Sequence, residues 1–203
     1  MPPTLEPSRR VISSLRFQPT PERTFKSPMT IGVISDTHIY LRGARRLPPE
    51  VVDLFIRFRV GLILHAGDVN TSGVLLALSE IAPVLAVQGN NDDAVLKENL
   101  PETAEFTVGP HRFGLVHGHG GSSARSEAKR RFAGRVDCAV YGHSHIPLVE
   151  RDSGTLLFNP GSATDRRWGP HFGVGLIHIS VERIDPDLVL FSDPRHLTSI
   201  KPG

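Results

Sequence analysis

The chain has 203 residues, 39% of them hydrophobic and 22% charged, a composition that fits one folded globular domain and excludes a chain too polar to collapse. Its single cysteine, Cys138, excludes an internal disulfide framework and any CxxC zinc or redox site. A formal net charge of +2 argues against a dedicated nucleic-acid binder, and no apolar run approaches the roughly 18 residues of a membrane helix.

The charge is unevenly spread. Residues 1–28 hold Arg9, Arg10, Arg16, Arg23 and Lys26 against Glu6 and Glu22, together with six of the seventeen prolines. This segment has neither a sustained apolar period nor the apolar stretch of a secretory signal. It is expected to be a mobile, basic, proline-rich extension, with the folded domain running over residues 29–203 in a cytoplasmic protein.

From Met29 onward, strands and helices alternate. Ile31–Ile34 is a short apolar run ending in Ser35-Asp36-Thr37-His38. Pro48 and Pro49 open a helix whose Val52, Phe55, Ile56 and Arg59 share a face at helical spacing. Leu62–Leu64 is a second buried strand, ending in His65-Ala66-Gly67-Asp68. Val74–Ile81 reads as a helix capped by Ser72. Val84–Val87 is a third strand, ending in Gly89-Asn90-Asn91-Asp92.

The second half has another texture. Ala104–Val108 and Arg112–Val116 form a hairpin about Gly109-Pro110, and the second strand runs into His117-Gly118-His119. Ser123–Phe132 is charged and helical. Val136–Tyr141 ends in Gly142-His143-Ser144-His145. Leu148–Arg151 and Thr155–Phe158 flank a second turn, Asn159-Pro160-Gly161-Ser162 follows, and Phe172–Ser180 and Leu188–Phe191 are late strands. Alternation in the first half predicts parallel pairing, and the second half predicts mixed and antiparallel pairing. Two mixed sheets packed face to face with helices outside use both halves.

Five strands thus end in polar clusters. They offer the carboxylates of Asp36 and Asp68, the amide oxygen of Asn90 and the imidazoles of His38, His117, His143 and His145. Oxygen and nitrogen donors without thiolate suit Mn, Zn, Fe, Ni or Co. Seven ligands are too many for one tetrahedral ion, whereas two ions about 3.5–4 Å apart would use them. Singly, each cluster reads as a polar turn or a hydrogen-bonded histidine. It is their coincidence at strand ends that points to metal.

In this order and spacing, Asp36-x-His38, Gly67-Asp68, Gly89-Asn90, His117-Gly118-His119 and Gly142-His143-Ser144-His145 resemble the calcineurin-like metallophosphoesterase superfamily. Asn159-Pro160-Gly161-Ser162 is similar to the corresponding element of its small microbial phosphodiesterase branch, which also contains a non-enzymatic retromer subunit. The resemblance implies an α/β/β/α four-layer sandwich with two divalent ions between the sheets. Mn2+ stands first among Mn2+, Ni2+, Zn2+, Fe2+ and Co2+. It assigns Asp36, His38, Asp68 and His145 to one ion and Asp68, Asn90, His117 and His143 to the other. A hydroxide bridging both would attack phosphorus in line. The resemblance also implies that Asp68, Asn90 and His117 are the catalytic group. Asn91, His119 and Arg166 are expected to contact substrate, and His65 and His119 to orient ligands. Many members of the superfamily have histidine where this chain has Asn91, so leaving-group protonation is expected to be weak. The implied partner is a small phosphate ester, with room for a homo-oligomer and with neither membrane nor specific nucleic-acid binding. The alternative is a metal-binding scaffold that recruits proteins. The chain keeps all seven ligands, which favours the enzyme. No GxSxG elbow, GxxxxGK[ST] loop or HExxH helix competes with this reading.

Overall fold

A computed structural model describes residues 23–202. In chain order its first half holds β1 (Arg23–Phe25), β2 (Met29–Ile34), α1 (Pro49–Arg57), β3 (Leu62–His65), α2 (Ser72–Ser79), β4 (Val84–Ala86) and α3 (Ala94–Asn99). Next come β5 (Thr103–Val108), β6 (His111–Val116), α4 (Ala124–Phe132), β7 (Cys138–Tyr141), β8 (Leu148–Asp152) and β9 (Thr155–Asn159). β10 (Phe172–Ile179), β11 (Ile184–Phe191) and a 3-10 turn over Pro194–Ser199 complete the fold.

The strands form two mixed sheets, ordered β11-β10-β2-β3-β4 and β1-β5-β6-β7-β9-β8. β2, β3 and β4 run parallel, as do β6, β7 and β9, while β10 is antiparallel to both of its neighbours. The period-two pattern sets the layers. Ile31, Val33, Leu62 and Leu64 meet Phe113, Leu115, Val140 and Phe158 in a core between the sheets. Ile34 and Ile63 point the other way, into a core shared with Val51, Leu54 and Phe55 of α1 and with Leu75 and Leu78 of α2. Ala128 and Phe132 of α4 cover the outer face of the second sheet. Helices outside two stacked sheets make the expected four layers.

Three local expectations need correction. The buried face of α1 is Val51, Leu54 and Phe55, whereas Ile56 is 55% exposed. The periodicity was legible but the phase was not, because Val51 and Val52 are equally apolar. Ser72 does not cap α2. It is the first helical residue, and the cap position is Thr71, whose hydroxyl donates to the Ile39 carbonyl instead. The boundary at Met29 falls too late, since Arg23–Phe25 pairs in parallel with Phe106–Val108 at the sheet edge, and Phe25 packs edge-on against Phe106. The rest of the segment expected to be mobile lies outside the described residues. Among the described residues, no helix is long and apolar enough to cross a membrane.

Candidate metal centre

Parallel β2, β3 and β4 in one sheet and parallel β6 and β7 in the other bring their C-terminal ends to one edge of the stack. Ligands sit at such ends in α/β sheets. Backbone bonds then knit the loops together. Asp36 N–H donates to Gly67 O at 3.0 Å, His38 N–H to Asp68 O at 3.1 Å and Gly142 N–H to His117 O at 3.2 Å.

Five of the expected ligands adopt the left-handed region, with φ of 53° at Asp36, 46° at His38, 55° at Asp68, 66° at His143 and 57° at His145. Strain of this kind costs of order 1–3 kcal/mol per residue and persists only where the surroundings enforce it. The loops are packed so closely that two glycines are obligatory. A Cβ on Gly89 would stand 2.1 Å from Asp68 Oδ1, and one on Gly142 would stand 2.7 Å from Asp36 Oδ2.

All seven expected ligands converge there, in two groups. Asp36, His38 and His145 are buried together, and Asp68, His117 and His143 form the second cluster. Asn90 Oδ1 lies 3.2 Å from His117 Nε2. His117 Nδ1 is 2.7 Å from the Ala66 carbonyl and must donate to it. In its neutral form the ring then turns its Nε2 lone pair towards Asp68 Oδ2 at 3.4 Å and Asn90 Oδ1, both of which are acceptors. His145 repeats the logic. Its Nδ1–H is held by the Asp165 carbonyl, so the Nε2 lone pair faces Asp36 Oδ1 at 3.3 Å and His38 Nε2 at 3.1 Å. Asp36 Oδ1 is buried with no hydrogen-bond partner among the described residues. Lone pairs aimed at lone pairs in a buried site fit divalent cations between them.

The protonation behaviour of the protein groups agrees. Burial would raise the Asp36 and Asp68 pKa values, but the imidazoles of His145 and His117 hold both carboxyls below the ordinary range. Burial lowers His38 and His143 and drives His65 down to about 3. Burial also opposes charge on His117, yet the Asp68 and Asp36 carboxylates outweigh it and raise this ring above its ordinary 6.5. A proton on His117 occupies the place a cation would take, so the two compete. Metal affinity is therefore expected to start falling above pH 6.5 as pH drops, and to keep falling through the imidazole range. Calorimetric titration from about pH 8 to about pH 5 checks this.

The other expected site residues are placed as follows. Asn91 is exposed, donating its backbone N–H to Asp68 Oδ1 at 2.8 Å and its side-chain amide to Oδ2 at 2.6 Å. His119 is exposed, its ring 5.5 Å from that of His117 and 6.3 Å from that of His143. Arg166 is exposed, donates to the Pro170 carbonyl and lies over the Phe172 ring. His65 is fully buried and meets the Thr37 hydroxyl at 3.2 Å rather than a ligand ring. Asn159 donates to the Gly142 carbonyl at 3.0 Å and to Ser144 Oγ, pinning the loop of His143 and His145, while Ser162 Oγ donates to Asp36 O at 2.7 Å.

Two residues with no role assigned from sequence also matter. Arg45 pairs with Asp165 Oδ2 at 3.2 Å and donates to the His38 carbonyl, joining the segments that hold His38 and His145. Buried Asp92 accepts from Asn70 N–H and Gly89 N–H, both at 2.7 Å.

Strand-end ligands between two mixed sheets define a metal-dependent phosphoesterase architecture, and comparison with known proteins agrees. The profile of the calcineurin-like phosphoesterase superfamily domain matches residues 29–182, and the chain belongs to that family. It is 40% identical over 139 residues to a probable metallophosphoesterase of Methanocaldococcus jannaschii, spanning 67% of this chain and 69% of that protein. A phosphodiesterase of the same organism is 30% identical over 145 residues, 66% of this chain and 83% of the relative. Vps29 of Entamoeba histolytica, solved in complex with Zn2+, superposes with a TM-score of 0.64 at 25% identity, covering 80% of this chain and 99% of that one.

Proposed function

We propose that the protein is a dinuclear metal-dependent phosphodiesterase of the cytoplasm, acting on small phosphate esters, with Mn2+ first among the divalent ions it would take. The observation that carries this reading is the position of Asp68. Its Oδ2 lies 3.6 Å from His38 Nε2 in one ligand group and 3.4 Å from His117 Nε2 in the other, as a shared carboxylate requires. When bound, two divalent ions supply Lewis acidity and the nucleophile for in-line displacement at phosphorus. Asp36 and Asp68 offset only about half of the +4 such ions bring, which leaves the site attractive to a phosphate ester.

The chain's own residues do the positioning. Asn91 fixes both oxygens of Asp68. It has no proton to transfer at neutral pH, which favours substrates with good leaving groups. His119, exposed beside His117 and His143, can donate to a phosphoryl oxygen at the mouth. The similarity to a named phosphodiesterase and the retention of every ligand favour diester hydrolysis over a scaffold role. Metal-stripped protein reloaded with Mn2+ is expected to hold two ions per chain. It should hydrolyse bis(para-nitrophenyl) phosphate faster than para-nitrophenyl phosphate. Inactivity with all of Mn2+, Ni2+, Zn2+, Fe2+ and Co2+ would leave the scaffold reading in its place.

A further inference from the structure

Large apolar side chains that a fold leaves in water are informative when they cluster. Here four of them border the ligand loops. Tyr40 (52% exposed) and Leu41 (72%) follow His38, Ile146 (66%) follows His145, and Trp168 is fully exposed. Trp168 is the chain's only tryptophan. It lies three residues beyond Asp165, so it stays within roughly 11 Å of chain from the carbonyl that holds His145. The turn that presents it is tied to the site, with Arg167 N–H donating to Asp165 Oδ1 at 3.2 Å and Gly169 N–H to Arg166 O at 2.8 Å. The Arg45–Asp165 ion pair joins this turn to the segment carrying Tyr40 and Leu41.

The same two segments concentrate positive charge. Residues 39–47 contain three arginines and no acid, and residues 163–170 contain two arginines and one aspartate, a net +4 in a chain whose whole formal charge is +2. Arg42, Arg46 and Arg167 are exposed. Aromatic faces interleaved with guanidinium groups recognise bases flanked by phosphates, by stacking and by charge. We infer that this rim binds a nucleotidic diester with more than one phosphate, such as a dinucleotide, and delivers one of its phosphodiester groups to the metal centre. Trp168 stacks on a base, and the exposed arginines hold the phosphate that is not cleaved. A plain alkyl diester would use neither.

The kinetic arm of the test rests on the phosphodiesterase reading, and the binding arm does not. The full chain is titrated with the dithymidine nucleotide pTpT while the fluorescence of Trp168 is followed. Saturable quenching is expected with pTpT, and none with diethyl phosphate or pyrophosphate at the same concentration. Trp168→Ala should raise the KM for pTpT, or its inhibition constant against methyl para-nitrophenyl phosphate, about tenfold. Turnover of the small ester should not change, and Trp168→Phe should restore most of the loss. The double variant Arg42→Gln/Arg46→Gln should weaken pTpT severalfold and reduce the salt dependence of its binding. The inference is overturned if pTpT does not quench, if Trp168→Ala leaves its constants unchanged, or if the signal follows protein concentration alone, which would mark a self-association surface. If the parent hydrolyses neither ester while pTpT still quenches, the phosphodiesterase reading fails and the rim assignment stands. If the small ester is hydrolysed but pTpT shows no dependence on Trp168, the reverse holds.

Discussion

Asp68→Ala is expected to empty both metal positions, whereas His145→Ala should empty one. Asp68 Oδ2 is the acceptor between His38 and His117, and His145 faces Asp36 and His38 only. Removing a group that merely orients a metal ligand typically costs about 10–100-fold in affinity. Loss of a ligand shared by two ions should therefore exceed about 100-fold at each position, with hydrolysis falling at least as far. Elemental analysis of the two variants after reloading and gel filtration separates these outcomes. The Asp68 variant should retain well under one ion per chain and the His145 variant about one. Equal metal content in the Asp68 variant and the parent would show that the two clusters do not share that carboxylate. The surrounding bonds sharpen the contrast. Without the Asp68 carboxylate, the Asn91 amide and backbone N–H lose their acceptor, and the Nε2 of His117 is left facing Asn90 alone.

Much of this candidate centre was legible because its expected ligands follow strands. A buried strand announces itself by a short, mainly apolar run, and the polar residues after it are placed by the strand's direction rather than by their own contacts. Ile31–Ile34, Leu62–Leu64 and Val136–Tyr141 therefore located Asp36, Asp68 and His143 without knowledge of the packing. What escaped depends on partners distant in sequence. β1 is three residues long and exists only as a parallel edge to β5. α3 buries Leu96 alone, so it has no period to detect, and its visible signal is Asp93, whose side chain accepts from Leu96 N–H. Arg45 acts on Asp165 and on the carbonyl of His38, contacts that no local pattern encodes. Arg166 and Arg167 are adjacent and chemically alike, so sequence alone does not separate them. The turn engages the first with Pro170 and Phe172 and puts the second in the left-handed region at φ 47°, a choice that depends on turn geometry rather than composition.

Asp92 closes the same argument from the side of stability. It stands beside Asn90 and Asn91 in the sequence, yet it is 5% exposed and its carboxylate is taken up by backbone N–H groups. One oxygen accepts from Asn70 N–H and the other from Gly89 N–H. The first donor lies two residues beyond Asp68 and the second one residue before Asn90, so Asp92 staples the two loops that meet at Asp68. Burial raises its pKa, and the two backbone N–H groups only partly offset this. Asp92→Ala would leave two buried N–H groups without acceptors, at about 1–3 kcal/mol each. A loss of about 2–5 kcal/mol is expected, which for a domain of this size lowers Tm by roughly 5–15 °C. Because Asn91 holds Asp68 from the loop that Asp92 staples, metal affinity should also fall, by about tenfold. Asp92→Asn separates the two effects. Its oxygen can still accept from one N–H, but its amide meets the other donor to donor, so about half of the stability loss should remain. Melting in the presence of a chelator, followed by metal titration of each variant, reads both quantities. If Asp92→Ala melts with the parent, the two N–H groups find other acceptors. If it melts low but binds metal normally, Asp92 supports the fold and leaves Asp68 where it was.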